Sequence, residues 1–428
     1  MDTHPEWKRA YTHEAMEPIY NATLHPDLAF FRARVRLASG LGLANQLKKY
    51  HANSTRVRKG TAVVVVRGGK VMGLTFSDFN PAFKLRVDSV VSELQRHQDA
   101  GHIALEDTIL ILNCRDVPLC SLGYCMVPIF SPVKEVRRGK AYNEDLLVPL
   151  MAYPHEQLVY VEQKDKLNMG VIASYRDQSM GGDGGCRSFV HKFARDKEGQ
   201  GSKYLQVLSA NRLRRQQLEE AAGKAEAEAK SSSSSDKKEG DDDGAEGAEG
   251  SVVEEGEGGA VDSMGVQVVS GIAPVPPPAA PLARYWFTFS CDAQTANPAL
   301  ASLLHLNSVV LKGRSNWAEY YYRALQEDVH YQELDPGFAL DVVRSQLEAG
   351  NTTRLAAIAE AGQRFAYTYL SQRSRALFWE KAISEYNTLF GEGYMKATVA
   401  DLPSSRPLAM EDILKLPMYP STWRQGLA

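Results

Sequence analysis

The stretch DTILILNCRDVP, residues 107–118, decides how the chain folds. Its uninterrupted run Ile109–Leu112 has no polar face and is too short for a buried helix. It therefore predicts a strand covered on both sides, as in a parallel sheet. Asp116 follows just past the carboxyl end of that strand, where open α/β sheets place their ligands. A carboxylate there can take a proton from a hydroxyl while the oxygen attacks an electrophile. Asp before Val-Pro is equally a common turn residue, so the position alone leaves both readings open.

Working outward, GTAVVVVRGGKVMGLTF (60–76) predicts two strands joined at Gly68-Gly69, and Val87, Val90, Val91 and Leu94 recur at helical spacing. Downstream, LNMGVIAS (167–174) predicts another strand. It leads into a glycine-rich loop at 181–185 that lacks the Lys-Ser/Thr of a phosphate-binding loop and so reads as a plain connection. The second half alternates more cleanly. RYWFTFS (284–290) and SVVLK (308–312) predict strands around a helix over 297–306, with Asn297 as its cap and Pro298 at its first position. WAEYYYRALQ (317–326) predicts a further helix, VHYQEL (329–334) a strand, and the chain to about Phe390 more helix. Strand–helix–strand units at this spacing imply an α/β fold of parallel sheets in two lobes facing across a cleft. A helix start such as Asn297 can receive phosphate through its N–H groups, or be an ordinary cap. Glu319 could grip ribose hydroxyls, or be one more favourable first-turn glutamate.

Between the lobes, residues 212–281 run through LRRQQLEEAAGKAEAEAK, SSSSS, DDDGAEGAEG and PVPPPAAP. Such a composition buries too little apolar surface to offset the entropy of ordering, which predicts a disordered insertion. The expected units are thus 1–211, carrying Asp116, the linker 212–281, and 282–428. The net charge of −3 hides an asymmetry: Gln216–Asp262 holds 15 acidic and 4 basic residues, leaving 45 basic and 37 acidic elsewhere. A mildly basic folded part suits an anionic nucleotide and is far from basic enough for nucleic acid. Five cysteines are an odd number for a disulfide framework, and the chain is too large to depend on one. Cys114, Cys120 and Cys125 lack a C-x-x-C pair or a histidine at ligand spacing, so small buried thiols, with room for one disulfide, are expected rather than a metal site. No run of about 18 apolar residues predicts a membrane span. The opening MDTHPEWKRAYTHEAMEP does not resemble a signal peptide, RQGLA is not a retrieval signal, and sequons at Asn21, Asn53 and Asn351 permit glycosylation.

Several ordered segments resemble the capsule-associated (CAP-type) glycosyltransferases, including the Rumi-like protein O-glucosyl- and O-xylosyltransferases. The most specific is SVVLKGRSNWAEYYYRALQEDVHY (308–331) followed by IAEAGQRFA (358–366); LNCRDVP (112–118), VPIFSPVK (127–134) and DLLVP (145–149) are similar to the family's first-lobe segments. The resemblance implies a GT-B fold of two Rossmann-like lobes. It also implies an inverting, metal-independent transfer of glucose or xylose from a UDP-sugar to a protein or glycan hydroxyl, in the secretory lumen. It makes Asp116 the base and brings the donor to Arg176, Thr295, Ala296, Asn297 and Glu319. Two departures stand out. Ala299 occupies the place of a diphosphate-binding arginine, with Lys312 or Arg314 as possible substitutes, and VIASYR replaces an F-R-G-S-R-like turn. They leave open an alternative, a catalytically weakened relative that binds a peptide or glycan.

Overall fold

Two five-stranded sheets organise the described residues, and in both the carboxyl edge is set by where parallel strands end. The computed structural model describes residues 7, 11–35, 41–53, 55–120, 125–137, 140–152, 158–174, 186–196, 201–209, 212–213, 215, 280–292, 295–417 and 420. Arg176, the glycine-rich loop and residues 216–279 of the expected insertion lie outside them.

In the first sheet, β1 (Thr61–Arg67) and β2 (Lys70–Thr75) form the predicted hairpin. Its Gly68 and Gly69 adopt φ of 55° and 80°, values that a two-residue turn demands and that side chains resist. A helix over Lys84–Asp99 then carries the chain back to β3 (Thr108–Asn113), every residue of which is buried. β3 pairs antiparallel with β1 and parallel with β4 (Ile129–Ser131). After β4 comes a short hairpin, β5 (Lys134–Arg137) and β6 (Lys140–Ala141), before β7 (Leu146–Leu147) runs parallel to β4. The order is β2-β1-β3-β4-β7. The sheet is therefore mixed, because the hairpin puts β1 between two strands that run against it.

The second sheet is parallel throughout. It contains β8 (Leu167–Ser174), β9 (Leu205–Ser209), β10 (Tyr285–Ser290) and β11 (Val309–Gly313); β12 (Trp317–Ala318) leaves it, and β13 (Gln332–Leu334) completes the order β13-β11-β10-β8-β9. The sequence boundaries 1–211 and 282–428 do not coincide with these sheets. β8 and β9 precede the linker yet join the second sheet. Helix Gln372–Thr388 follows it yet packs on the first: Trp379 stacks on Phe130 at 5.5 Å, and its indole N–H donates to Pro149.

Two further expectations change. Residues 317–326 are not a helix: β12 is followed by a turn and a single 3-10 turn at Tyr322–Ala324. The apolar spacing there comes from burying tyrosines against other helices, with Tyr320 packed on Phe378 and Tyr321 near Phe365. The strand read over 329–334 is confined to β13. Two disulfides form rather than one, Cys120–Cys125 and Cys186–Cys291, leaving Cys114 a buried thiol. Among the described residues, no helix is long and apolar enough to cross a membrane.

Candidate functional site at the carboxyl edges of the two sheets

β5 starts three residues after β4 ends, and β12 starts four residues after β11 ends. These two extensions pair antiparallel, Trp317 opposite Glu135 and Ala318 opposite Lys134. A small sheet, β12-β5-β6, thereby stitches the carboxyl edge of one large sheet to that of the other. Whatever projects from those edges is brought together.

From the first sheet comes Asp116, three residues beyond β3. One carboxylate oxygen, Oδ1, accepts from Arg86 Nη2 at 2.5 Å, while Arg86 Nη1 donates to the Cys114 carbonyl at 2.7 Å. The guanidinium is buried, at 2% exposure, and the carboxylate is 29% exposed. Arg86 thus fixes one oxygen of Asp116 from below while the side chain keeps access to solvent. Sequence reasoning passed over Arg86, although it stands four residues before Val90 on the apolar stripe of its helix. A cation on such a stripe needs a buried partner, and that was the available signal.

The second sheet contributes Asp292, two residues beyond β10, together with Lys312 near the end of β11 and Glu319 just past β12. Asp292 Oδ1 accepts from the backbone N–H of Asn297 at 2.7 Å, and its Oδ2 lies 3.6 Å from Lys312 Nζ. Lys312 also stands over the Tyr322 ring, 4.8 Å from its centre. Burial and the nearby Asp292 carboxylate push the Glu319 carboxyl up to about 8; Lys312 and Arg86 oppose the rise and Asp116 adds to it. Glu319 is therefore largely a neutral acid at pH 7, able to donate a hydrogen bond. Its electrostatic neighbours come from the carboxyl edges of both sheets. Beside it opens a cavity of about 620 Å³ whose walls include Lys312, Ser315, Asn316, Tyr322 and Tyr331.

The other expected positions are less simply arranged. The helix predicted from Asn297 starts at Ala299 and runs only to Leu304, with Pro298 as its cap residue. Asn297 still organises the turn: its side-chain oxygen accepts from the Ala299 N–H, and its amide donates to Ser290 Oγ. With Asp292 already holding the Asn297 N–H, two donors of this turn are satisfied internally. Ala296 is buried beside them and Thr295 is partly exposed. Of the two cations that could replace an arginine at Ala299, Lys312 belongs to the cluster. Arg314 is exposed and bound to Glu333 instead.

Residues 282–400 match the family model of glycosyl transferase family 90. No curated protein matches the chain. The matched segment supports a glycosyltransferase, and with it sugar transfer in general. Asp292, Asn297, Lys312 and Glu319 all lie within it; Arg86 and Asp116 lie before it and join the site through the fold alone.

Behind the site, Asp27 Oδ1 meets Lys134 Nζ at 2.6 Å and Arg323 Nη1 at 2.8 Å, and Asp27 Oδ2 accepts from the Leu147 N–H. Lys134 and Asp27 are each 2% exposed. Burial pulls the Lys134 ammonium down, which Asp27 offsets, and burial raises the fully enclosed Asp145 against the N–H groups of Leu119 and Cys120. This ion pair ties an N-terminal helix, β5 and the turn after Glu319 into one frame.

Proposed function

We propose that the protein is an inverting glycosyltransferase that moves glucose or xylose from a UDP-sugar to a hydroxyl acceptor, with Asp116 as general base. The observation that supports this reading is the pairing of β5 with β12, which joins the carboxyl edge that carries Asp116 to the one that carries Glu319. The acceptor hydroxyl gives its proton to Asp116 as its oxygen bonds to the anomeric carbon. The bond from that carbon to the diphosphate breaks on the opposite face, and UDP leaves with the electron pair. Arg86 holds one oxygen of the base in place. Lys312 is the cation available to the diphosphate in place of the arginine missing at Ala299, and the neutral Glu319 acid donates to a donor hydroxyl. Thr295, Ala296 and Asn297 shape the loop beside the diphosphate, with Arg176 as a further donor contact. A GT-B arrangement accommodates these roles, no metal is required in them, and two disulfides favour an oxidising compartment such as the secretory lumen.

Turnover of UDP-glucose and UDP-xylose by purified protein, wild type against Asp116→Asn, tests the assignment. The variant is expected to lose about a thousandfold in turnover. Equal rates would remove Asp116 from the mechanism.

A further inference from the structure

Lys312 is a cation that the second edge offers to an anionic ligand, and it already has a counter-ion. Asp292 Oδ2 lies 3.6 Å from Lys312 Nζ, close enough to pair charges and too far for a hydrogen bond. The side chains of Asp292 and Lys312 are 3% and 11% exposed, so water and salt screen them little. Asp292 is fixed from its other side. The Asn297 N–H donates to its Oδ1 at 2.7 Å, while Oδ2 is buried with no hydrogen-bond partner among the described residues. The ammonium is steadied in turn by the Tyr322 ring, 4.8 Å from its centre. Lys312 and Tyr322 line the 620 Å³ cavity, whereas Asp292 is not part of its wall. A buried carboxylate oxygen without a hydrogen bond destabilises the fold, and an asparagine could accept the same N–H without that cost. Holding the Asn297 turn thus accounts for the shape of this side chain but not for its charge.

We propose that Asp292 governs release of the nucleotide product, by repelling UDP more strongly than it repels the UDP-sugar. The inference rests on the transfer reading above and adds a control on its last step. In the donor, the terminal phosphate is esterified to the sugar and carries one negative charge. When the bond to the anomeric carbon breaks, the phosphate oxygen keeps the electron pair, and UDP gains about one further charge at neutral pH. Both ligands are drawn to Lys312. A fixed carboxylate beside that lysine offsets the attraction, and the offset grows with the charge of the ligand and with the dryness of the site. UDP is therefore loosened more than the donor, and only once transfer is complete. Arg86 and Arg314 are engaged by Asp116 and Glu333, so the charge offered to the phosphates depends on how far Lys312 is offset. Glu319, largely protonated near pH 7, adds little repulsion of its own. Asp292 acts through Lys312 and through space, without touching the reacting atoms.

The test uses the full chain. UDP affinity is read by calorimetry and as a product-inhibition constant, and the KM for UDP-glucose and UDP-xylose is read from turnover. Asp292→Asn keeps an acceptor for the Asn297 N–H and removes the charge. It is expected to tighten UDP about tenfold and to lower the UDP-sugar KM by no more than about threefold. Asp292→Ser also keeps an acceptor, is expected to act in the same direction, and serves if the first variant folds poorly. Because Asp292 helps to keep Glu319 protonated, both comparisons are repeated in a Glu319→Gln background, where the same tightening is expected. UDP affinity unchanged or weakened in both variants would overturn the proposal and leave the transfer reading standing, with Asp292 a structural acceptor. Equal tightening of UDP and UDP-sugar would remove Asp292 from product release. Failure of wild type and variants alike to bind UDP or a UDP-sugar would sink the transfer reading and the role of Asp292 together.

Discussion

The two carboxyl edges that meet at the site handle charge in opposite ways. At the first, a buried arginine contacts Asp116, whose carboxylate reaches solvent. At the second, two acids and one lysine crowd beside buried tyrosines, and burial, helped by the Asp292 carboxylate, leaves a proton on Glu319. One edge pairs its acid with a fixed cation and the other keeps an acid neutral. The difference shows how two acids can be set apart, one by a fixed cation and the other by burial among further acids.

Replacing Arg86 with Met strikes this contrast hardest. It strands Asp116 beside an apolar wall, and both turnover, by about a hundredfold, and stability, by about 2 kcal/mol, are expected to fall. Unchanged kinetics with lowered melting temperature would reduce Arg86 to a structural residue. Next in size, Lys312→Met removes the cation of the crowded edge and is expected to raise the KM for a UDP-sugar about tenfold with little change in kcat. A fall in kcat alone would instead assign Lys312 to the transition state. The smallest effect is on pH dependence. Because the folded-state pKa of Glu319 lies above its unfolded value, the protonated acid favours the fold. That contribution is intact at pH 4 and is lost as pH rises toward about 8. Glu319→Gln, which cannot ionise, is expected to flatten this decline by about 2 kcal/mol between pH 5 and 9, measured by denaturant unfolding. An unaltered pH slope would place the ionisation elsewhere.

The core strands and the position of Asp116 past β3 were legible because each is written within a few residues. Ile109–Leu112 has only one sensible burial, and the position beyond its end follows from chain order. The WAEYYYRALQ stretch misled for a physical reason. Its apolar spacing fits a helix, but what the tyrosines satisfy is packing against Phe365 and Phe378, which local sequence does not reveal. Asp292 was missed because its meaning depends on Lys312, 20 positions on, and on Glu319, whose proton depends on both. The Asp27–Lys134–Arg323 frame spans nearly 300 positions and has no local signature at all.

The Cys186–Cys291 bridge has a consequence for the covalent integrity of the molecule. It joins the helix before β9 to the residue after β10, and so encloses the whole acidic stretch in a ring of chain. A protease that cuts once anywhere between residues 216 and 279 would yield two polypeptides that still migrate as one species until a reductant is added. Asp292 would then stay beside its bridge, on a fragment still held to the one that bears Asp116.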